Sequence, residues 1–166
     1  ARKAAPGKFV AGDIGPCGLV MEPMGEAKWD EVYEIFLEQA KALSEAEVDL
    51  IVIETMMDIR ELKAAIIAAR EAYDGPIFGS MFYQEGASTM TGTDPLVQVT
   101  TALACGADGV GANCSLGPDG LYPVIELMTA ATSAPVLIEP NAGLPRLVDG
   151  KTVFPEPPES MARWAL

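Results

Sequence analysis

The amino-acid sequence predicts an α/β fold on a parallel sheet, and three observations carry that reading. Short apolar runs rich in β-branched residues recur along the chain, stretches with helical spacing separate them, and the two alternate at intervals of about 30 residues. The runs are Phe9 to Ile14, Leu50 to Ile53, Ile77 to Phe82, Gly109 to Ala112 and Val136 to Ile138. Runs so continuously apolar predict strands buried on both faces. Parallel strands need a long crossover between them, and the helical stretches supply it.

In chain order, Ala1 to Lys8 (ARKAAPGK) reads as the last turn of a helix, stopped by Pro6 and Gly7. After the first strand, Trp29, Val32, Tyr33, Phe36, Ala40 and Leu43 fall on one helical stripe. Ile59, Leu62, Ile66, Ala69 and Tyr73 form the next stripe. A third helix opens at Asp94 and Pro95, a cap followed by a first-turn proline. A fourth runs from about Asp119 to Thr132 on Leu121, Val124, Ile125 and Met128. Leu144 to Pro158 is Pro-rich and predicts a surface excursion. Pro157, Pro158 and Glu159 then start a helix that runs to Leu166.

Residues 1–166 are therefore expected to be one domain, partial and truncated inside helices at both ends. An eight-stranded βα barrel needs roughly 250 residues, and about five strands are legible here, so a barrel reading requires an incomplete TIM (β/α)8 barrel. The alternative is a flavodoxin-like open parallel sheet, which length alone favours. Periodicity does not separate the two.

Composition narrows the functional classes. Of 166 residues 49% are hydrophobic, enough for a sizeable core. Lys and Arg number 11 against 24 Asp and Glu, a formal charge of −13, which argues against nucleic acid and anionic membrane as partners. No apolar run approaches the roughly 20 residues of a spanning helix, so the expectation is a soluble, cytoplasmic protein. The three cysteines, Cys17, Cys105 and Cys114, are too few and too scattered for a disulfide framework. With no histidine in the chain, any chemistry falls to thiolate, carboxylate, amide, phenol or backbone groups.

Parallel βα folds place binding groups where strands end. The residues there are Asp13 and Cys17, Glu54 and Thr55, Tyr83 to Glu85, Asn113 and Cys114, and Glu139 to Asn141. Cys114, in GANCS, is placed like a metal ligand or nucleophile; the competing reading is a small buried thiol. Glu54, closing the apolar run DLIVIE, either points into a polar pocket or pairs with a Lys or Arg. Asn141 and Gly143, in PNAGLP, serve a site or simply make a turn. Cys105 reads as helix packing, and GDIGPCG and GPDG as turns that fit no phosphate-loop pattern. Met21, Met24, Met56, Met57, Met81 and Met90 read as core filling, with an apolar wall near the strand ends as the other option.

At GDIGPCG, DLIVIETMMDIRELKAAI, GSMFYQEGASTMTGTDP, GADGVGANCSLGPDG and PVLIEPNAGLPRLVDGKTVF, in this order along nearly the whole chain, the sequence resembles the homocysteine S-methyltransferase family, most closely its cobalamin-dependent members. The resemblance implies that residues 1–166 are a partial homocysteine-binding barrel domain, strands three to seven of an incomplete TIM (β/α)8 barrel whose zinc ion sits on three cysteine thiolates. Cys114 matches the first; the other two lie in a Gly-Gly-Cys-Cys motif that this chain does not contain. Glu54 matches the acidic residue that holds the ammonium group of homocysteine, and Asn113 is expected beside it in the substrate site. Asn141 is expected in the substrate site too, and matches an asparagine that can fill the open position on the zinc.

A thiol with a pKa near 8.5 is mostly protonated at neutral pH, and zinc would supply the thiolate that methyl transfer requires. The implied methyl donor is methylcobalamin on a corrinoid-binding domain or protein, and the implied product is methionine. Two other readings stay open: a corrinoid-linked methyltransferase for another thiol, and a non-catalytic assembly module. A single cysteine does not hold zinc with structural strength, so the chain alone is expected to be inactive. Open barrel edges are expected to favour a homo-oligomer.

Overall fold

Five strands lie side by side in chain order in one parallel sheet of the computed structural model, which describes residues 1–165. They are β1 (Ala11–Ile14), β2 (Leu50–Met56), β3 (Ile77–Met81), β4 (Gly109–Asn113) and β5 (Val136–Glu139). The crossovers are α1 (Trp29–Glu45), α2 (Ile59–Ala72), α3 (Pro95–Ala104) and α4 (Pro118–Ala131). A flavodoxin-like sheet reverses direction and runs 2-1-3-4-5, putting helices on both faces. Here the order β1-β2-β3-β4-β5 never reverses. Right-handed crossovers that always step the same way put all the helices on one face, which is the wall of a βα barrel. The open-sheet alternative falls on this point.

Two of the crossover helices start at side-chain caps. Asp58 caps α2 by accepting the Arg60 N–H at 2.9 Å, and Asp94 caps α3 by accepting the Val97 N–H at 2.9 Å. The stripes of α1 to α4 then pack on one sheet face, where Phe36, Leu62, Ile66, Leu121 and Met128 meet Ile14, Ile51, Ile53, Ile77 and Val110, all fully buried. Burying each such side chain stabilises the fold by about 1.5–3 kcal/mol. At Gly79, paired with Ile53, a methyl would come within 3.0 Å of Ile66 Cδ1 and 3.3 Å of Leu62 Cδ1. Its missing side chain lets α2 lie close on the sheet.

The expectation of strands buried on both sides holds for β4, which is buried throughout, and is corrected on the other sheet face at β1, β2 and β5. Along β1 exposed Ala11 and Asp13 alternate with buried Gly12 and Ile14, and in β2 Val52 and Glu54 are only half-buried. This face is filled between strands: a methyl on Gly109 would lie 2.4 Å from the Phe78 ring, which occupies that space. The apolar runs hide the difference because alternate residues such as Val52 and Leu137 are also apolar.

The ends depart further. Residues 1–8 form hydrogen-bonded turns, with Ala4 and Ala5 both donating to the Ala1 carbonyl, and no helix is formed. β1 starts at Ala11, two residues after exposed Phe9, since the Val10 N–H is taken by the Asp49 carboxylate at 2.7 Å. The expected excursion over Leu144 to Pro158 contains a hairpin, β6 (Arg146–Val148) and β7 (Lys151–Val153). Its turn is Asp149-Gly150, both at positive φ (49° and 73°), as the tight hairpin turns demand. α5 (Pro158–Trp164) follows and packs Trp164 on Tyr122 of α4, ring centroids 5.6 Å apart. Leu166, the last residue of the expected helix, lies outside the described residues.

Candidate functional site at the strand ends

The site begins with an irregularity in β2. Ile53 pairs with Gly79, but Met56 pairs with Met81, so β2 carries one residue more than β3 over the same stretch. Such a bulge re-aims side chains. Ile51 and Ile53 face the helices, and Met56, fully buried, resumes that face in place of residue 55. Glu54 and Thr55 are both left for the end of the sheet. Thr55 sits at φ 59°, a left-handed conformation that a β-branched side chain rarely adopts.

At the end of β4, Asn113 is almost fully buried, and its amide joins three strands. Its Oδ1 accepts the Thr55 N–H at 2.9 Å and the Ser80 hydroxyl at 2.7 Å. Its Nδ2 reaches Thr55 Oγ1 at 2.6 Å, Glu54 Oε2 at 3.3 Å and Cys114 Sγ at 3.5 Å. Cys114 follows at φ 61° and Ser115 at φ 62°. The Cys114 N–H donates to the Glu139 carbonyl at 3.0 Å, and the Leu116 N–H returns to the Cys114 carbonyl at 2.7 Å, closing a three-residue turn. Left-handed residues on both sides of one amide are strain concentrated at the strand ends. Cys114 is half-buried, which sets aside the fully buried thiol.

The electrostatics are one-sided. Burial raises the Glu54 carboxyl above its ordinary range, and the negative charges of Asp13 and Glu139 raise it further, against a lowering hydrogen bond from Thr55. The ion pairs among the described residues join Arg2 to Asp49, Arg60 to Asp58 and Arg70 to Asp108, away from Glu54. Pairing with a Lys or Arg therefore fails as the account of Glu54. Three carboxylates at one mouth suit a cationic group.

Asn141 braces the Cys114 turn from just beyond β5. Its N–H donates to the Leu116 carbonyl at 3.0 Å and its Nδ2 to the Ser115 carbonyl at 3.4 Å. Gly143 is at φ 79°, so the turn reading of PNAGLP holds at that residue. The structure thus brings Glu54, Asn113 and Cys114 into one hydrogen-bonded cluster and sets Asn141 behind the cysteine.

Other candidates part from the site. Tyr83 is fully buried, and its hydroxyl donates to Gln98 Oε1 at 2.6 Å beneath the sheet. The Gln98 Nε2 bonds the Gly79 and Gly111 carbonyls at 2.9 and 2.8 Å, so Tyr83 is structural. Cys17 donates its N–H to Glu61 at 2.8 Å, and burial, reinforced by that carboxylate, raises its thiol pKa. Cys105 caps α3 at the far end of β4 from Cys114. Met21, Met56 and Met81 fill core, while Met24, Met57 and Met90 are exposed around a groove of about 390 Å³. Ser80 and the binding part of Thr55 were not among the roles read from sequence. The signal for Ser80 is a lone serine in an apolar strand; Thr55 depends on the pairing of β2 with β3.

A catalytic zinc takes three protein ligands. Among the described residues no group of three His, Cys, Asp or Glu side chains is placed to hold an ion, and Cys17 and Cys105 belong to other parts of the fold. The residues present supply one thiol and do not fit a complete zinc centre.

Comparison with known proteins agrees with this picture. The profile of the homocysteine S-methyltransferase family matches residues 1–166. Methionine synthase of Mycobacterium tuberculosis is 26% identical over 160 residues, covering 93% of this chain and 13% of that protein, and the enzyme of Mycobacterium leprae matches to the same extent. The chain thus spans a small part of these relatives. The homocysteine methyltransferase MmuM from Escherichia coli, in its apo form, superposes with a TM-score of 0.71 at 20% identity, covering 81% of this chain and 50% of that one. The carboxyl transferase domain of Rhizobium etli pyruvate carboxylase superposes with a TM-score of 0.59 at 14% identity, covering 85% and 24%. At these identities the superpositions speak for the fold alone.

Proposed function

The chain belongs to the homocysteine S-methyltransferase family, and from that premise we propose that the protein carrying it methylates the thiol of homocysteine to give methionine. One observation supports this above the rest: the Asn113 amide touches both the Glu54 carboxylate and the Cys114 sulfur. An amino-acid thiol has a cationic end and a sulfur end, and the site offers one group for each. In this reading Glu54, with Asp13 and Glu139 adding negative potential, holds the substrate ammonium. Cys114 marks the place of the reacting sulfur. Fixing both ends of a short flexible molecule orients its thiol, and orientation of that kind is worth several kcal/mol of barrier.

Zinc as thiol activator and methylcobalamin as donor belong to the proposal, with Cys114 as this chain's contribution to the metal and a corrinoid-binding domain or protein as partner. The steps assigned to this chain are those of its own groups: Glu54 binds, Asn113 orients, and Asn141 supports the Cys114 turn. No helix among the described residues is long and apolar enough to cross a membrane.

The test is methyl transfer by the full-length protein, supplied with zinc, from methylcobalamin, betaine or S-methylmethionine. Methionine should form with one of these, and competing thiols should be methylated more slowly. Failure with all three donors, or a preference for another thiol, would remove homocysteine as the substrate.

A further inference from the structure

We propose that Thr55 is a positioning residue that sets the Cys114 sulfur relative to the Glu54 carboxylate; the inference rests on the homocysteine reading and goes beyond its assigned roles. The bulge in β2 is what puts Thr55 there. In a regular strand residue 55 would follow Ile51 and Ile53 onto the helix side, where a threonine would bury its hydroxyl among apolar residues. The extra residue hands that place to Met56 and turns Thr55 to the mouth. There its hydroxyl meets two groups at once. It accepts from Asn113 Nδ2 at 2.6 Å and lies 3.9 Å from Cys114 Sγ, while the same Nδ2 reaches Glu54 Oε2 at 3.3 Å. The backbone N–H of the same residue holds the other end of the Asn113 amide at 2.9 Å. Asn113 is thus clamped at both ends by one residue.

The conformation argues that the hydroxyl is wanted. A φ of 59° suits glycine, and a β-branched residue there is strained. Glycine would relieve the strain and keep the N–H contact to Asn113; only the hydroxyl would be lost. A threonine retained at such a position is accounted for by what its Oγ1 touches.

Three variants of the full-length protein test this: T55V, T55S and T55G, each with homocysteine steady-state kinetics and thermal unfolding. T55V should lower kcat at least tenfold, T55S should restore it to within about threefold of the parent, and T55G should lose turnover with no fall in Tm. A second readout does not depend on activity: with 15N-asparagine labelling, the Asn113 side-chain amide protons should exchange slowly in the parent and T55S and fast in T55V. Turnover of T55V within twofold of the parent, or equal losses in T55S and T55V, would overturn the inference. So would unchanged Asn113 protection in T55V, even in a parent that methylates nothing. A parent inactive towards homocysteine whose Asn113 protection follows the hydroxyl would instead overturn the proposed substrate and leave the clamp standing.

Discussion

The helix-facing side of the sheet and the mouth at its strand ends are built by opposite rules. On the first, Ile51, Ile53, Ile77 and Val110 alternate regularly and are fully buried against α2 and its neighbours. At the second, β2 bulges, Thr55, Cys114 and Ser115 take left-handed backbone, and a carboxylate stands with no cation beside it among the described residues. The first side gains stability from each residue. The second gives some up, as strain and as repulsion between Asp13, Glu54 and Glu139, to hold a thiol and a carboxylate on one amide. The lesson is that stability and activity should separate cleanly by region.

The strongest break in that comparison is Cys114→Ser. In the full-length protein it should lower methionine formation by roughly a thousandfold or more, because a hydroxyl does not replace a thiolate as a metal ligand. Thermal unfolding of the same variant should match the parent. A large fall in Tm would show that Cys114 belongs to the packed side after all.

The converse is Ile53→Ala, one residue before the site but on the helix face. Truncating this fully buried side chain should cost about 2–5 kcal/mol of stability, read from denaturant unfolding. The homocysteine KM of the folded fraction should not change. Next in size is Glu54→Gln, which keeps the shape and removes the charge that meets the ammonium. The homocysteine KM should rise about thirtyfold, equivalent to about 2 kcal/mol. A KM within a factor of two of the parent would move the ammonium to another carboxylate.

What could be read from the sequence follows the same division. Periodicity exposed the helix-facing side because burial repeats: Trp29 to Leu43 and Ile59 to Tyr73 show their stripes without any knowledge of partners. Strand order was beyond it, since a run such as VLIE does not say which strand it joins. At the mouth, residue type and position marked Glu54, Asn113 and Cys114 as candidates, and the family resemblance supplied their roles. The bulge escaped, because an extra residue in β2 is visible only when β3 is laid beside it. Left-handed Thr55 escaped for a related reason: β-branched residues carry no local signal for φ above zero. The hairpin at Asp149-Gly150 has a local signal that the surface-excursion reading leaves out, since Asp-Gly between Leu-Val and Lys-Thr-Val is a strong turn.

The smallest effect sharpens the comparison through pH. Glu54 has a folded-state pKa raised above its ordinary 4.5, chiefly by burial and then by Asp13 and Glu139. Between the ordinary and the raised value the folded protein binds more protons at this group than the unfolded chain does. Stability must then fall as pH rises through that window, and stay lower above it. Glu54→Gln removes the titration, so the Tm of the variant minus that of the parent should grow as pH is raised from about 4 to 7. Binding runs the other way, because the ammonium needs the carboxylate: homocysteine affinity should improve as pH rises through the same window in the parent and stay flat in the variant. A group kept for stability would show the two trends with the same sign. Opposite signs from one carboxylate, with Ile53→Ala keeping both of the parent's trends because it keeps Glu54, are what the division between wall and mouth requires.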